Sequence, residues 1–110
     1  TRVTKEVYVC KTADIDEEDV KRFDFEDQTY CVYHTPDGFF ATDGFCTHEA
    51  QHLEDGIVID NVIECPLHQG RFDVRSGKAL SAPVCIDLNT CPVEIRDGGI
   101  YLCLDTEPIT

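Results

Sequence analysis

The chain is poor in positive charge: nine Lys and Arg face 22 Asp and Glu in 110 residues, a net charge of −13. That balance repels phosphate backbones and anionic lipid surfaces, so neither nucleic acid nor a membrane is expected as a partner. No apolar run approaches the roughly 20 residues that span a bilayer, and no basic, then apolar, then small-residue leader stands in the sequence. A linker, a low-complexity tract, an internal repeat and a convincing amphipathic helix are all missing too. One domain over residues 1–110 is therefore expected, too small to hold both a metal module and a separate catalytic domain. The seven cysteines are odd in number, which excludes a complete intrachain disulfide framework and favours a reducing setting. A soluble, cytoplasmic protein is expected.

What is present is a grammar of short strands. Residues 3–10, 20–25, 29–34 and 39–42 are rich in Val, Phe, Tyr and Thr, and turn-forming residues at 26–28, 36–38 and 43–44 separate them. The second half repeats the pattern. Residues 56–59 and 62–64 flank Asp60-Asn61, 71–74 and 78–80 flank Ser76-Gly77, and 93–96 and 99–104 flank Asp97-Gly98. Hairpins at such spacing predict an all-β protein, an antiparallel sandwich or barrel. Residues 13–20 read as a single helical turn or plain loop. Acidic residues gather between Asp14 and Asp27, which reads as a solvated segment, with a steering patch for a basic partner as the alternative.

Two short motifs carry the chemistry. Cys46-Thr47-His48 is followed, after sixteen intervening residues, by Cys65-Pro66-Leu67-His68. Each pair follows a predicted strand, so a rigid sheet can hold two loops that converge on one point. Each loop offers one sulfur and one imidazole, which is the ligand set of a Rieske [2Fe–2S] centre, where one iron takes two cysteines and the other two histidines. Two ferric ions, two sulfides and two thiolates sum to a neutral oxidised core, so one added electron brings it only to −1. Such a centre is easier to reduce than one held by four thiolates, near about −400 mV.

Residues 45–80, carrying those two motifs and then Gln69-Gly70-Arg71-Phe72-Asp73 and Ser76-Gly77-Lys78, resemble the Rieske ferredoxins of bacterial aromatic-ring-hydroxylating oxygenase systems. Ser81-Ala82-Pro83 is similar to the proline-containing loop that covers the cluster in that family. The resemblance implies a Rieske fold, an antiparallel β-sandwich with a small cluster-binding subdomain of two loops at about 44–83. It implies one [2Fe–2S] cluster per chain on Cys46, His48, Cys65 and His68, with the two histidines on the exit side. It further implies a monomeric one-electron carrier, not itself an enzyme, passing electrons from a flavin- or iron–sulfur-containing reductase to a terminal oxygenase. Respiratory Rieske proteins carry a further cysteine in each ligand loop and a serine after the second loop's glycine. The matching positions here are Gln51, Leu67 and Arg71. Fewer hydroxyl donors to the sulfurs place the expected potential near the low end of the Rieske range, about −150 mV.

Three other readings compete. Two cysteines and two histidines also make a structural zinc site, although the C-x-H order fits a zinc knuckle poorly. A Rieske-type subunit of another redox enzyme, such as nitrite reductase, shares the motif. An oxygenase large subunit would need a mononuclear iron on two histidines and a carboxylate, and only His34 and His52 remain for it. His52 reads as a surface or supporting residue and His34 as structural. Phe72 and Leu53 read as packing the loops, and Cys10, Cys31 and Cys103 as small hydrophobes. Arg71, Arg75 and Lys78 read as an exposed basic hairpin.

Overall fold

A computed structural model of the chain describes residues 3–26, 28–45, 52–66, 70–80 and 87–106. These form ten strands in three antiparallel sheets, with no α-helix among the described residues. The first sheet orders β1 (Val3–Lys11), β10 (Gly99–Thr106) and β9 (Val93–Arg96). The second orders β2 (Asp19–Phe25), β3 (Gln28–Thr35), β4 (Gly38–Asp43) and β8 (Thr90–Cys91). The third is small: β5 (Ile57–Ile59), β6 (Val62–Glu64) and β7 (Arg71–Asp73).

The layering follows from β3, whose Cys31-Val32-Tyr33 run is buried on both faces. Val32 packs with Cys10, Ile15, Ala41, Ile100, Leu102 and Leu104 between the first and second sheets. Cys31 and Tyr33 point the other way, into a cluster with Val58, Ile63, Phe72, Leu53, Cys65, Val74 and Leu88. Alternation along a strand sends successive side chains to opposite faces, so one apolar run serves two cores. The expected sandwich is thus the first two sheets, and the third sheet roofs the second sheet's other face. Its register aligns Val58, Ile63 and Phe72 in one inward row, each burial contributing about 1.5–3 kcal/mol.

Turn chemistry sets the hairpins. At the β9–β10 turn Asp97 and Gly98 both take positive φ, +50° and +76°, the type I′ form that a two-residue hairpin loop requires. Between β1 and β2, Thr12–Asp14 forms a single 3₁₀ turn whose Asp14 carboxylate accepts the Lys11 N–H at 3.0 Å, so the helical-turn reading of that segment holds for its first residues.

Three expectations differ from the structure. Residues 78–80 form no strand: Ala79 makes an isolated bridge to Phe72, while Lys78 O and Leu80 N–H bond to β7. Gly77 stops the hairpin from running on, because its N–H donates to Asp73 O and its carbonyl accepts Leu88 N–H at 2.7 Å. A Cβ there would collide with the Leu88 carbonyl. The two-residue β8, paired with Ala41 and Thr42, was too short to show alternation, and Pro92 ends its ladder. The 3₁₀ turn at Leu53–Asp55 was also not expected. No helix among the described residues is long and apolar enough to cross a membrane.

Candidate metal centre

Three segments outside the described residues, 46–51, 67–69 and 81–86, are flanked by described residues whose contacts are defined. The first, 46–51, is closed by an antiparallel bridge between Phe45 and His52. Behind it Leu53 N–H donates to Gly44 O at 2.9 Å, and Gly44 N–H donates to Thr29 O at 2.8 Å. The second, 67–69, is closed where Cys65 N–H donates to Gly70 O at 2.7 Å, one step beyond the Glu64–Arg71 pair of the β6–β7 ladder. The third, 81–86, is held by Leu80 N–H on Arg71 O and by Ala79 N–H on the Asp87 carboxylate, both at 2.8 Å. Leu53, Cys65, Phe72 and Leu88, each at or beside a loop end, belong to one buried cluster. The loop ends therefore rest on a common apolar floor.

Of the four expected ligands, Cys65 is described: it is the first residue beyond β6 and fully buried. Cys46, His48 and His68 lie outside the described residues, as do Gln51, Leu67 and the Ser81-Ala82-Pro83 loop. The donor chemistry fits an iron–sulfur centre. A sulfur withdrawn from water at a strand exit, on an apolar floor shared with the ends of all three loops, suits a soft metal.

Two ionisable groups of that floor are held neutral by burial. Burial pushes the Cys31 thiol up to about 12 and the Tyr33 phenol well above its ordinary value. The Tyr33 hydroxyl is satisfied by Thr42 Oγ1 at 2.8 Å. Cys10 and Cys31 are core thiols as expected, whereas Cys103 is only half-buried, on the outer face of β10.

A charged frame stands beside the 3₁₀ turn that follows His52. Arg22 binds Asp24 at 3.0 Å and Glu54 at 3.2 Å, joining the second sheet to the 3₁₀ turn that follows His52. The Arg22 guanidinium holds the Asp24 carboxyl below the usual carboxylate range. The His52 ring lies 4.6 Å from the Phe45 ring, and its Nδ1 is buried without a hydrogen-bond partner among the described residues. His34 is structural: its Nδ1 meets Ile15 O at 2.9 Å and its ring stacks on Phe39 at 4.1 Å. Leu53 and Phe72 are fully buried in the cluster that also holds Cys65.

Sequence reasoning missed Asp87 and Gly77, which tie down the third loop, because no motif marks a backbone-capping carboxylate or a close carbonyl approach. The basic hairpin is less basic than its sequence suggests: Arg71 pairs with Glu64 at 3.1 Å and Arg75 with Asp73 at 2.9 Å. Among the described residues, Glu6, Glu94 and Cys103 also bring donor atoms within 4.8 Å of one another. Arg96 already pairs with both carboxylates, so the charge that would attract a cation there is met.

A Rieske [2Fe-2S] domain model matches residues 5–92. The chain is 45% identical over 84 residues to the ferredoxin component of a 2,4-dinitrotoluene dioxygenase system from Burkholderia sp. (strain RASC), covering 76% of this chain and 81% of the relative. It is 45% identical over 92 residues to the ferredoxin component of the naphthalene 1,2-dioxygenase system of Pseudomonas putida, covering 84% and 88%. Among solved structures it is similar, with a TM-score of 0.86 and 32% identity over 89% of this chain and 92% of the other, to a chain in a complex of reduced oxygenase and oxidized ferredoxin in carbazole 1,9a-dioxygenase.

Proposed function

We propose, from the premise that this chain belongs to the Rieske [2Fe-2S] family, that Cys46, His48, Cys65 and His68 hold its one cluster. The chain is the electron-transfer component of a multicomponent dioxygenase system and not the catalytic oxygenase. When bound, the cluster supplies one-electron redox chemistry near the low end of the Rieske range, about −150 mV. The chain's own residues do the rest. Cys46 and Cys65 would supply the cluster's two thiolates and His48 and His68 its two imidazoles, the histidines being the side from which the electron would depart. The closed loop ends fix where those ligands start, and the uncharged floor of Cys31, Tyr33, Ile63 and Phe72 keeps water and competing charge from beneath them.

The partners are a reductase carrying flavin or an iron–sulfur centre, and a terminal oxygenase. The second is supported by the oxygenase–ferredoxin complex to which the fold is similar. The exposed acids at Asp16, Glu17, Asp19 and Glu26, within a chain of net charge −13, steer it towards basic partner surfaces. It works as a monomer in the cytoplasm, a setting the odd cysteine count supports. The observation that carries this reading is the gathering of the loop ends around a buried Cys65.

The test is direct. Purified protein should be red-brown, with about two irons and two acid-labile sulfides per chain, as the cofactor requires. After mixing with a reductase and an oxygenase of such a system, its reduced spectrum should decay with oxygenase turnover. A colourless chain carrying one zinc, or a reduced cluster the oxygenase never reoxidises, overturns the reading.

A further inference from the structure

Strand β5 breaks the pattern of its own sheet. An antiparallel sheet with one covered face alternates apolar in and polar out, yet all three residues of β5, Ile57-Val58-Ile59, are apolar. Val58 is buried, while Ile57 and Ile59 are 57% and 59% exposed, the most exposed large apolar side chains among the described residues. Register sets Ile57 opposite Glu64 and Glu64 opposite Arg71, and it sets Ile59 opposite Val62. These five residues line one shallow hollow of about 230 Å³. Residues paired across a ladder share a face, so the hollow lies on the side of the sheet away from Val58, Ile63 and Phe72.

Exposed apolar side chains scattered singly need no explanation, but a cluster on the outer face of a sheet does. β5 is also an end strand of its sheet, where uncovered apolar residues invite unwanted pairing. The hollow is smaller than the roughly 300–1,000 Å³ of small-molecule sites, so it suits protruding side chains rather than a free ligand. Charge gives the character of the surface that brings them. From Glu54 to Glu64 the chain holds four acids, Glu54, Asp55, Asp60 and Glu64, and no lysine or arginine. Arg22 and Arg71 meet Glu54 and Glu64, and Asp60, at the end of β5, is exposed. The complementary surface is an apolar side chain ringed by Lys and Arg.

We propose that this face is a docking surface for the terminal oxygenase, which seats an apolar side chain between Ile57, Ile59 and Val62 and sets basic residues beside Asp60 and its neighbouring acids. This rests on the reading that the chain passes electrons to such an oxygenase. The row Ile57, Glu64, Arg71 decides between acceptor and donor. It is one ladder step from the bond of Cys65 N–H to Gly70 O, which closes the segment that carries His68, a ligand on the proposed exit side. An acceptor seated on that row stands beside the place where the electron leaves. Weak redox encounters bury less than about 1,200 Å² in total, so a compact patch suffices.

The test measures KM for the reduced, cluster-loaded carrier with an oxygenase that reoxidises the wild type, beside KM for the oxidised carrier with its reductase. Ile57→Thr/Ile59→Thr keeps the β-branching that suits a strand and removes apolar surface. It should raise KM with the oxygenase about tenfold, as loss of a central apolar contact does, with kcat and KM for the reductase changing much less. Ile59→Lys sets a cation against a basic rim and should raise KM with the oxygenase further. An unchanged KM in the double variant overturns the proposal, as does an equal rise for reductase and oxygenase, which would make the face a general one. Should the double variant fail to load its cluster, Ile59→Lys decides alone: a wild-type KM sinks the proposal, and a rise confined to the oxygenase supports it. The wild type separates the two levels. A reduced wild type that no oxygenase reoxidises removes the electron-carrier reading, whereas a working wild type matched by the double variant removes only this docking face.

Discussion

Two cores lie back to back on β3 and are built differently. The far core, between the first two sheets, is closed by the long β1–β10 ladder, whose register runs from Val3↔Thr106 to Lys11↔Gly99 with one bulge near Tyr8. The near core, under the loops, is roofed by three strands of three residues each, and several of its members sit at loop ends. Three-residue strands have little ladder to hold them. Polar ties supplement it: Glu18 accepts Asp60 N–H at 3.2 Å, Asn61 reaches Asp37 at 2.8 Å, and Arg22 holds Glu54. The far core is closed by its own long strands, while the near core borders the ends of the segments that carry the proposed ligands.

The strongest way to break that contrast is one cavity on each side. Phe72→Ala and Leu102→Ala both remove fully buried side chains and should cost about 3–5 and 2–5 kcal/mol respectively. Only Phe72→Ala, beneath the loops, should also lower the iron content of purified protein and broaden its visible spectrum. Equal iron loss in both variants, measured beside denaturant midpoints, would mean that the two cores are one cooperative unit.

High pH offers a second separation. The Cys31 thiol is neutral when folded because burial pushes it up to about 12, whereas an exposed cysteine ionises near about 8.5. Between those values the unfolded chain releases a proton that the folded chain keeps. Stability is therefore full below about pH 8.5 and falls as pH rises towards 12, by up to about 1.4 kcal/mol per pH unit for this group. Cys31→Ala should flatten that alkaline slope while lowering stability at pH 7. Tyr33 adds the same sign above about pH 10, so some slope should persist. A variant slope identical to wild type would show that Cys31 is reached by water.

Cluster removal should act on one side alone. After chelation of iron under reducing conditions, amide exchange at Ile63 and Phe72 in the third sheet should speed up at least about tenfold, or about 1.4 kcal/mol of local stability. Exchange at Ile100 and Leu102 should change much less. Uniform acceleration across both sheets would contradict the proposed independence of the far core.

How legible this was depends on how far the decisive contacts reach along the chain. Strands at 3–10, 29–34 and 99–104 announce themselves by β-branched and aromatic residues, and Asp97-Gly98 by the φ > 0 its turn needs. The both-face burial of Cys31-Val32-Tyr33 is visible only as a short apolar run, which periodicity cannot assign. The ligand motifs were readable because cysteine and histidine at short spacing have few other uses. The third loop's anchors were not, since Gly77 to Leu88 and Ala79 to Asp87 are tertiary pairings without a motif. Nor does sequence reveal that one nitrogen of His52 is buried, because the burial of a single atom is decided by packing.

The smallest effect expected is at Asn61, and there two terms nearly cancel. Its Nδ2 donates to Asp37 at 2.8 Å, an exposed bond contributing about 0.5–1.5 kcal/mol. Its Oδ1 is buried without a partner among the described residues, a cost of about 1–3 kcal/mol. Asn61→Ala removes both, so its stability should lie within about 1 kcal/mol of wild type by chemical denaturation. Asn61→Asp should be distinctly worse, because it sets a second carboxylate against Asp37 and leaves no donor. If Asn61→Ala instead costs more than about 2 kcal/mol, the polar ties dominate the packing of Val58, Ile63 and Phe72. The near layer would then be pinned from its rim rather than from its core.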